Sequence, residues 1–285
     1  MAFDFEWSNK NLFYGQYTRN ECYFDNNPEM KAQGIPQGEV KTLLTKLREK
    51  YKKYVPKTAI SKPVGAPGQG QSANKNTQIA NALLDSAGWE IGADGIRTKG
   101  KQRLQFELLL AGPGFQRIAE PYKNNLKKIG VALDIKVVQV AEYEERLRNF
   151  KFSMIVANYP QSRSPGNEQS YMWGSASAKI PGTRNYMGIK NPALDELIEG
   201  VIKAKTRKEL IVQIHALDRI LTHQFYIVPH WYIAYDRAVY WNKFSRPKIN
   251  PSQSNIANNL LEWWWWDEQK VQKLKDAKSQ GKSLQ

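Results

Sequence analysis

The chain has 285 residues, of which 41% are hydrophobic and 12% aromatic, enough for a packed core and against intrinsic disorder. A single cysteine, Cys22, excludes an intrachain disulfide and thiolate zinc sites, and no run approaches the roughly 18 apolar residues of a membrane span. The net charge of +15 is spread evenly, with +6 over residues 1–103, +5 over 104–240 and +4 over 241–285, which disfavours the concentrated basic surface of a nucleic-acid binder.

The first residues, Met1-Ala2-Phe3-Asp4-Phe5-Glu6, are acidic where a signal peptide carries positive charge, so no export signal is expected in the sequence as it stands. Val40, Leu43, Leu44, Leu47, Tyr51 and Tyr54 recur at helical spacing and predict a helix over about 39–54. Its Lys46, Arg48, Lys50, Lys52, Lys53 and Lys57 form a solvated face. Residues 61–72 are rich in Gly and Pro and read as a loop. Gly65 to Ser72 is one residue from a phosphate-binding P-loop, but Gln71 stands where the lysine belongs and no strand precedes it, so a connector is expected. Asn74 is placed to cap the next helix, with Ile79, Leu83 and Leu84 on its apolar face and Gly88 at its end.

Three strands follow, around Leu104–Leu110, Leu133–Val140 and Phe152–Asn158, alternating with a helix ending at Gly130 and another over Glu142–Arg148. This β-α-β-α-β order requires crossover connections and a largely parallel sheet. Beyond residue 190 the pattern turns helical. Asn191 and Pro192 make an N-cap and first-turn pair, and Thr206 with Glu209 makes a capping box for a second helix. Two aromatic strand-like runs come next, 225–229 and 231–241. Residues 242–262 are irregular, Trp263–Trp266 stand together, and the last twenty residues are polar and lysine-rich, expected as a frayed helix or disordered tail.

Catalytic motifs are absent. Glu144/Glu145 and Asp195/Glu196 are sequence neighbours and point to different helix faces, and no serine sits in a nucleophile elbow. His215, His223 and His230 have no metal-ligand spacing, so structural histidines are expected, with no metal site. The informative stretch is the polar, aromatic-rich segment from Asn158 to Ser175 directly after the third strand, with a second loop over 181–188 close behind. In a parallel sheet, ligands meet the loops at the carboxyl ends of the strands.

In these loops Ser164-Pro165-Gly166-Asn167-Glu168-Gln169, Trp173-Gly174-Ser175, Arg184-Asn185-Tyr186 and Gly188-Ile189 resemble the family-5 extracellular solute-binding proteins, in particular the oligopeptide-binding, microcin-C-type components of bacterial ABC importers. Residues 3–15, Ala87-Gly88-Trp89, Leu217-Asp218-Arg219, Val228-Pro229-His230-Trp231 and the tryptophan run extend the resemblance over residues 2–267. It implies an α/β fold, a periplasmic binding protein-like second lobe (type II) with a mainly parallel sheet flanked by helices, most of the N-terminal lobe being missing. Residues 1–240 would be that second (C-terminal) lobe, 241–267 a segment crossing back to the absent first lobe, and 268–285 a tail.

The function implied is non-enzymatic: the substrate-binding component of an ABC peptide importer, carrying about half of an oligopeptide site, periplasmic by family, or cytoplasmic if the sequence is the complete gene product. No cofactor is implied. The partners would be an oligopeptide, a membrane permease and the missing N-terminal lobe, but no nucleic acid. The residues expected at the ligand are Tyr159, Arg163, Asn167, Glu168, Tyr171, Trp173, Arg184 and Asn185, with Arg184 toward a carboxylate or carbonyl, Glu168 toward an amine, and Tyr159, Tyr171 and Trp173 stacking on side chains. An interaction module or split-gene fragment, docking through its tryptophans onto a separately made first lobe, is the alternative.

Overall fold

Alternating apolar residues over 104–111 and 132–138 build the sheet that organises the first part of the molecule. The computed structural model describes residues 5–65, 68, 70–233, 235, 239–248 and 263–282, so the P-loop-like stretch and the 242–262 segment lie partly outside the described residues. Two compact units are present, residues 1–232 and 233–285. In chain order the first contains α1 (Phe5–Leu12), β1 (Thr18–Arg19), α2 (Gly38–Lys50), α3 (Thr58–Ser61), α4 (Ala73–Ser86), β2 (Glu90–Ile91), β3 (Arg97–Lys99) and β4 (Gln102–Arg103). It continues with β5 (Gln105–Ala111), α5 (Gln116–Lys127), β6 (Ala132–Val138), α6 (Val140–Arg148), β7 (Met154–Ile155), α7 (Glu168–Trp173), α8 (Pro192–Lys203), α9 (Arg207–His223) and β8 (Trp231–Tyr232).

The sheet order is β6-β5-β7, and both pairings are parallel. Leu108 and Leu110 point to the face covered by Ala119 and Leu126 of α5, while Arg146 of α6 pairs with Glu107 on the opposite face. Helices therefore flank both faces. Gly130 closes α5 into β6 at φ +78°, and a Cβ there would lie 2.7 Å from Arg97 Cγ, so only glycine fits. The third strand is far shorter than the sequence suggests, pairing only Met154 and Ile155 with β5. The helix near 74 is capped by Ser72, whose hydroxyl accepts the Lys75 N–H at 3.3 Å, rather than by Asn74. The polar ribbon β2-β3-β4 is fastened by Arg97, which is buried and donates to Ile129 O (2.9 Å), Trp89 O (2.5 Å), Asn81 Oδ1 (3.0 Å) and Asp85 Oδ1 (2.6 Å).

The larger core is helical. Leu44 and Leu47 of α2, Leu194, Leu197 and Val201 of α8, and Ile214, Leu217 and Ile220 of α9 close around Phe24, Met30 and Trp173. Asn191 caps α8 by accepting the Ala193 N–H at 2.9 Å, and Thr206 caps α9 by accepting the Glu209 N–H at 3.2 Å, as the sequence predicts.

Inside this core α9 carries two adjacent charges. Asp218 has no exposed surface and accepts the N–H groups of Tyr23 (2.8 Å) and Ala32 (3.0 Å). Arg219 donates to the carbonyls of Ala59 (2.6 Å), Gly34 (2.7 Å) and Lys62. Burial outweighs the N–H donors and pushes the Asp218 carboxyl up to about 6. It is still ionised at neutral pH.

In the second unit, β9 (Phe244–Ser245) pairs antiparallel with β10 (Trp265–Trp266), followed by α10 (Glu268–Ser279). The lysine-rich tail is thus helical over twelve residues, with Asp267 accepting the Lys270 N–H at 3.1 Å as its N-cap. Of the aromatic runs 225–229 and 231–241, only Trp231–Tyr232 pairs as a strand among the described residues, with Thr18–Arg19.

Replacing Asp218 with Ala strands two buried backbone donors, each costing about 1–3 kcal/mol. Chemical denaturation of Asp218→Ala is therefore expected to show a loss of about 2–6 kcal/mol. A loss under about 0.5 kcal/mol, the ordinary surface range, would mean that segment 23–32 is held by other contacts.

Candidate functional site

Strand β7 ends at Ile155, and the chain runs from there into a long loop, residues 156–190, interrupted by the short helix α7 and by a 3-10 helix over Ser175–Lys179. Tyr143 of α6 donates to Val156 O at 3.3 Å and ties down its start. The loop leaves the carboxyl end of a parallel strand, where α/β folds open a crevice.

Tyr159 is half-buried, with its ring 4.6 Å from Trp173, 6.1 Å from Tyr186 and 6.5 Å from Tyr23. Its hydroxyl reaches Met187 Sδ (3.2 Å) and Arg184 O (3.3 Å). Burial, reinforced by Tyr186, raises the phenol well above its ordinary range, so it stays a neutral donor. Arg184 closes the circuit: its guanidinium donates to Asn158 O and lies 5.7 Å over the Tyr159 ring. Arg184 is only partly buried and uses few of its donors here. Tyr171 is 46% exposed, and its hydroxyl donates to Gly182 O.

Glu168 is half-buried, and its Oε1 accepts from Gly166 N (3.0 Å), Ser162 Oγ (3.3 Å) and Gln169 Nε2 (3.3 Å). All three donors converge on one carboxylate oxygen. Asn167 and Arg163 are exposed. Asn167 borders an open cavity of about 420 Å³ between residues 164–167 and the α8–α9 junction, which Tyr159 and Arg184 do not line.

Two of the expected residues lie inside the protein. Trp173 has 0% of its surface exposed and donates from Nε1 to Gln169 Oε1 at 2.9 Å. Asn185 is also 0% exposed, donating to Gly174 O and Ile189 O (3.0 Å each) and accepting the Ile189 N–H at 2.7 Å. In this conformation neither offers a surface on which a ligand could rest. Trp173 backs Tyr159, and Asn185 shapes the turn behind Arg184.

Sequence reasoning missed Tyr186, Met187 and the buried amides Gln161 and Gln169. Gln169 lies inside the quoted motif, and nothing in a single sequence marks an amide as buried. The histidines are packing residues: His215 Nε2 lies 2.9 Å from Glu29 O, His223 is buried on α9, and His230 packs edge-on to Trp231 at 5.0 Å. Burial pushes both His223 and His230 down to about 4. Among the described residues no group of three or more His, Cys, Asp or Glu is placed to hold a metal.

The model of the bacterial extracellular solute-binding proteins, family 5 Middle, matches residues 1–180. A probable peptide-binding protein, YejA, of Agrobacterium fabrum is 36% identical over 251 residues, 88% of this chain and 40% of its own length. An uncharacterized YejA of Escherichia coli K12 is 33% identical over 283 residues, 99% of this chain and 45% of its own. Among solved structures, the oligopeptide-binding protein AppA of Bacillus subtilis, in complex with a nonapeptide, superposes with a TM-score of 0.61 at 20% identity, covering 93% of this chain and 45% of that one. The chain thus spans less than half the length of these relatives.

Asn185→Ala removes three buried hydrogen bonds, each worth about 1 kcal/mol net and more where a partner is left unpaired. Unfolding measurements are expected to show a loss of about 2–4 kcal/mol. Native stability in that variant would return Asn185 to the candidates for direct ligand contact.

Proposed function

We propose that this chain, which belongs to the family 5 bacterial extracellular solute-binding proteins, carries one face of a peptide-binding site serving an ABC importer. The observation that carries the reading is the Tyr159–Arg184 circuit at the carboxyl end of a parallel sheet. It presents an aromatic face, a cation with donors to spare and, through Glu168, an anchored carboxylate on one loop. Those groups match a peptide's side chains, carboxylate or carbonyls, and amine. The relatives support the class of ligand: one is a probable peptide-binding protein, and AppA holds a nonapeptide.

The roles are divided by exposure. Arg184, Glu168, Tyr159 and Tyr171 would touch the peptide. Arg163 and Asn167 stand on the exposed rim, while Trp173 and Asn185 hold the contact residues in place. The working environment would be the periplasm and the downstream partner a membrane permease. A solute-binding protein of this kind does no chemistry on its ligand.

A second reading has its own observation. In residues 233–285, Trp241, Trp265 and Trp266 are 60%, 52% and 53% exposed. Lys278 sits 3.9 Å over Trp241, and Lys243 sits 4.9 Å over Trp266. Large aromatics left open on a small unit mark a contact surface. This one would dock onto a lobe supplied by the rest of a relative-length protein.

Good ligand sites bury about 70% or more of the ligand surface, and polar contacts on an open face are worth little. Tri-alanine, tri-lysine and tri-glutamate would be titrated by calorimetry into the chain alone and into a chimera in which it replaces the matched stretch of Agrobacterium YejA. The chimera is expected to bind at least one of them about a hundredfold more tightly than the chain alone. Arg184→Ala in the chimera is expected to lose about 2–5 kcal/mol of that affinity. Equal, micromolar binding by the chain alone would contradict the half-site reading, and an unchanged Arg184→Ala would remove Arg184 from the contact set.

A further inference from the structure

The geometry points to Gln169 as the positioning residue of this loop: a fully buried amide that sets where Tyr159, Arg184 and Glu168 stand. The inference rests on the proposed function for what the loop is for, but not for how it is held.

Gln169 is 0% exposed. Its amide makes three hydrogen bonds, and each ends on a different part of the loop. Nε2 donates to Gln161 Oε1 at 2.8 Å and to Glu168 Oε1 at 3.3 Å, while Oε1 accepts Trp173 Nε1–H at 2.9 Å. Both amide protons are used, so the amide cannot flip without setting like against like at every contact. Gln161 is itself buried and comes two residues after Tyr159. The bond from Gln169 therefore pins the chain just past the tyrosine.

The bond to Trp173 fixes the indole, and the Tyr159 ring lies 4.6 Å from it. Tyr159 in turn reaches the Arg184 carbonyl, and the Arg184 guanidinium returns to Asn158. One amide thus fastens both sides of the aromatic face and shares the anchored oxygen of the acid. The peptide stays out of its reach, because no part of Gln169 meets solvent. Buried polar networks of this kind specify one arrangement when complete and are costly when broken.

Three substitutions test the role: Gln169→Leu keeps the bulk and removes every bond, Gln169→Glu keeps the acceptor for Trp173 and removes both donors, and Gln161→Met removes one acceptor and is the mildest. Leu126→Ala serves as a control that opens a cavity in the separate core between α5 and the sheet, a cluster that contains neither Trp173 nor Tyr159. NMR of the full chain without ligand would follow the Trp173 indole N–H, the Tyr159 ring and the Arg184 Nε–H. In the wild type these are expected as single sharp signals, with slow exchange at the indole.

Both Gln169 variants are expected to shift or split the Tyr159 and Arg184 signals and to speed indole exchange by about tenfold or more, with Gln161→Met intermediate. The control should lower stability and leave those signals in place. Unmoved Tyr159 and Arg184 signals in the Gln169 variants, or in Gln161→Met should the Gln169 variants not fold, would overturn the assignment. So would equal movement in Leu126→Ala. In the chimera, the tripeptide affinity of Gln169→Leu should fall about tenfold. A wild-type chimera that binds no tripeptide would count against the proposed function and leave the ligand-free result standing.

Discussion

Two adjacent side chains of α9, Asp218 and Arg219, hold five backbone groups of the first 62 residues: the N–H groups of Tyr23 and Ala32 and the carbonyls of Gly34, Ala59 and Lys62. Both side chains are buried, so each bond is charge-assisted in a low-dielectric interior, where a bond to an ionised group is worth about 1.5–3 kcal/mol and leaving it unmade costs more. The segment they hold has little regular structure of its own between β1 and α2. Without partners its backbone groups could not be buried against α9 at all. The pair therefore decides whether Phe24 and Met30 can enter the helical core.

The site depends on the same fastening. Tyr23, fixed through its N–H to Asp218, packs edge-on 5.0 Å from Trp173 and 6.5 Å from Tyr159. Asn27, a few residues on, donates to Ser162 O at 3.0 Å. Arg207 bridges Glu29 and the Ser164 hydroxyl from the first turn of α9. The candidate loop thus rests on a segment that would be irregular by itself, which in turn rests on two charges of one helix. A loop fixed from behind in this way keeps its exposed face free for a ligand, at little further cost in conformational entropy on binding.

The sequence made some of this legible for simple reasons. Strands β5 and β6 and helices α8 and α9 carry strong apolar periodicity, and Asn191 and Thr206 mark their helix starts with capping chemistry. The position of the loop after β7 followed from strand order alone. Other features left no such mark. Helix α7 is only six residues long, with Glu168, Gln169 and Ser170 in its first turn, so it reads as loop. The ribbon β2-β3-β4 is mostly polar and is held by Arg97, whose burial no periodicity reveals. Ser72 and Asn74 are both good caps, and only the backbone path chose between them. Trp173 and Asn185 are residue types that bind ligands and also fill cores, and tertiary packing assigned them to the interior. Asp218 and Arg219 enter the sequence reading only through the resemblance, and the backbone groups they hold are evident only once the segment they bind is folded onto them.

On the proposed function, the face built by Tyr159, Glu168, Tyr171 and Arg184 is where a peptide would meet this chain. The most direct measurement is a chemical-shift map of the labelled chain with tri-alanine, tri-lysine and tri-glutamate added to millimolar concentration. Binding at that face would concentrate the shifts in residues 156–190, with the Tyr159 ring and the Arg184 Nε–H among those moved furthest and the exposed side of α4 unmoved. Shifts that saturate elsewhere while Tyr159 and Arg184 stay in place would contradict it.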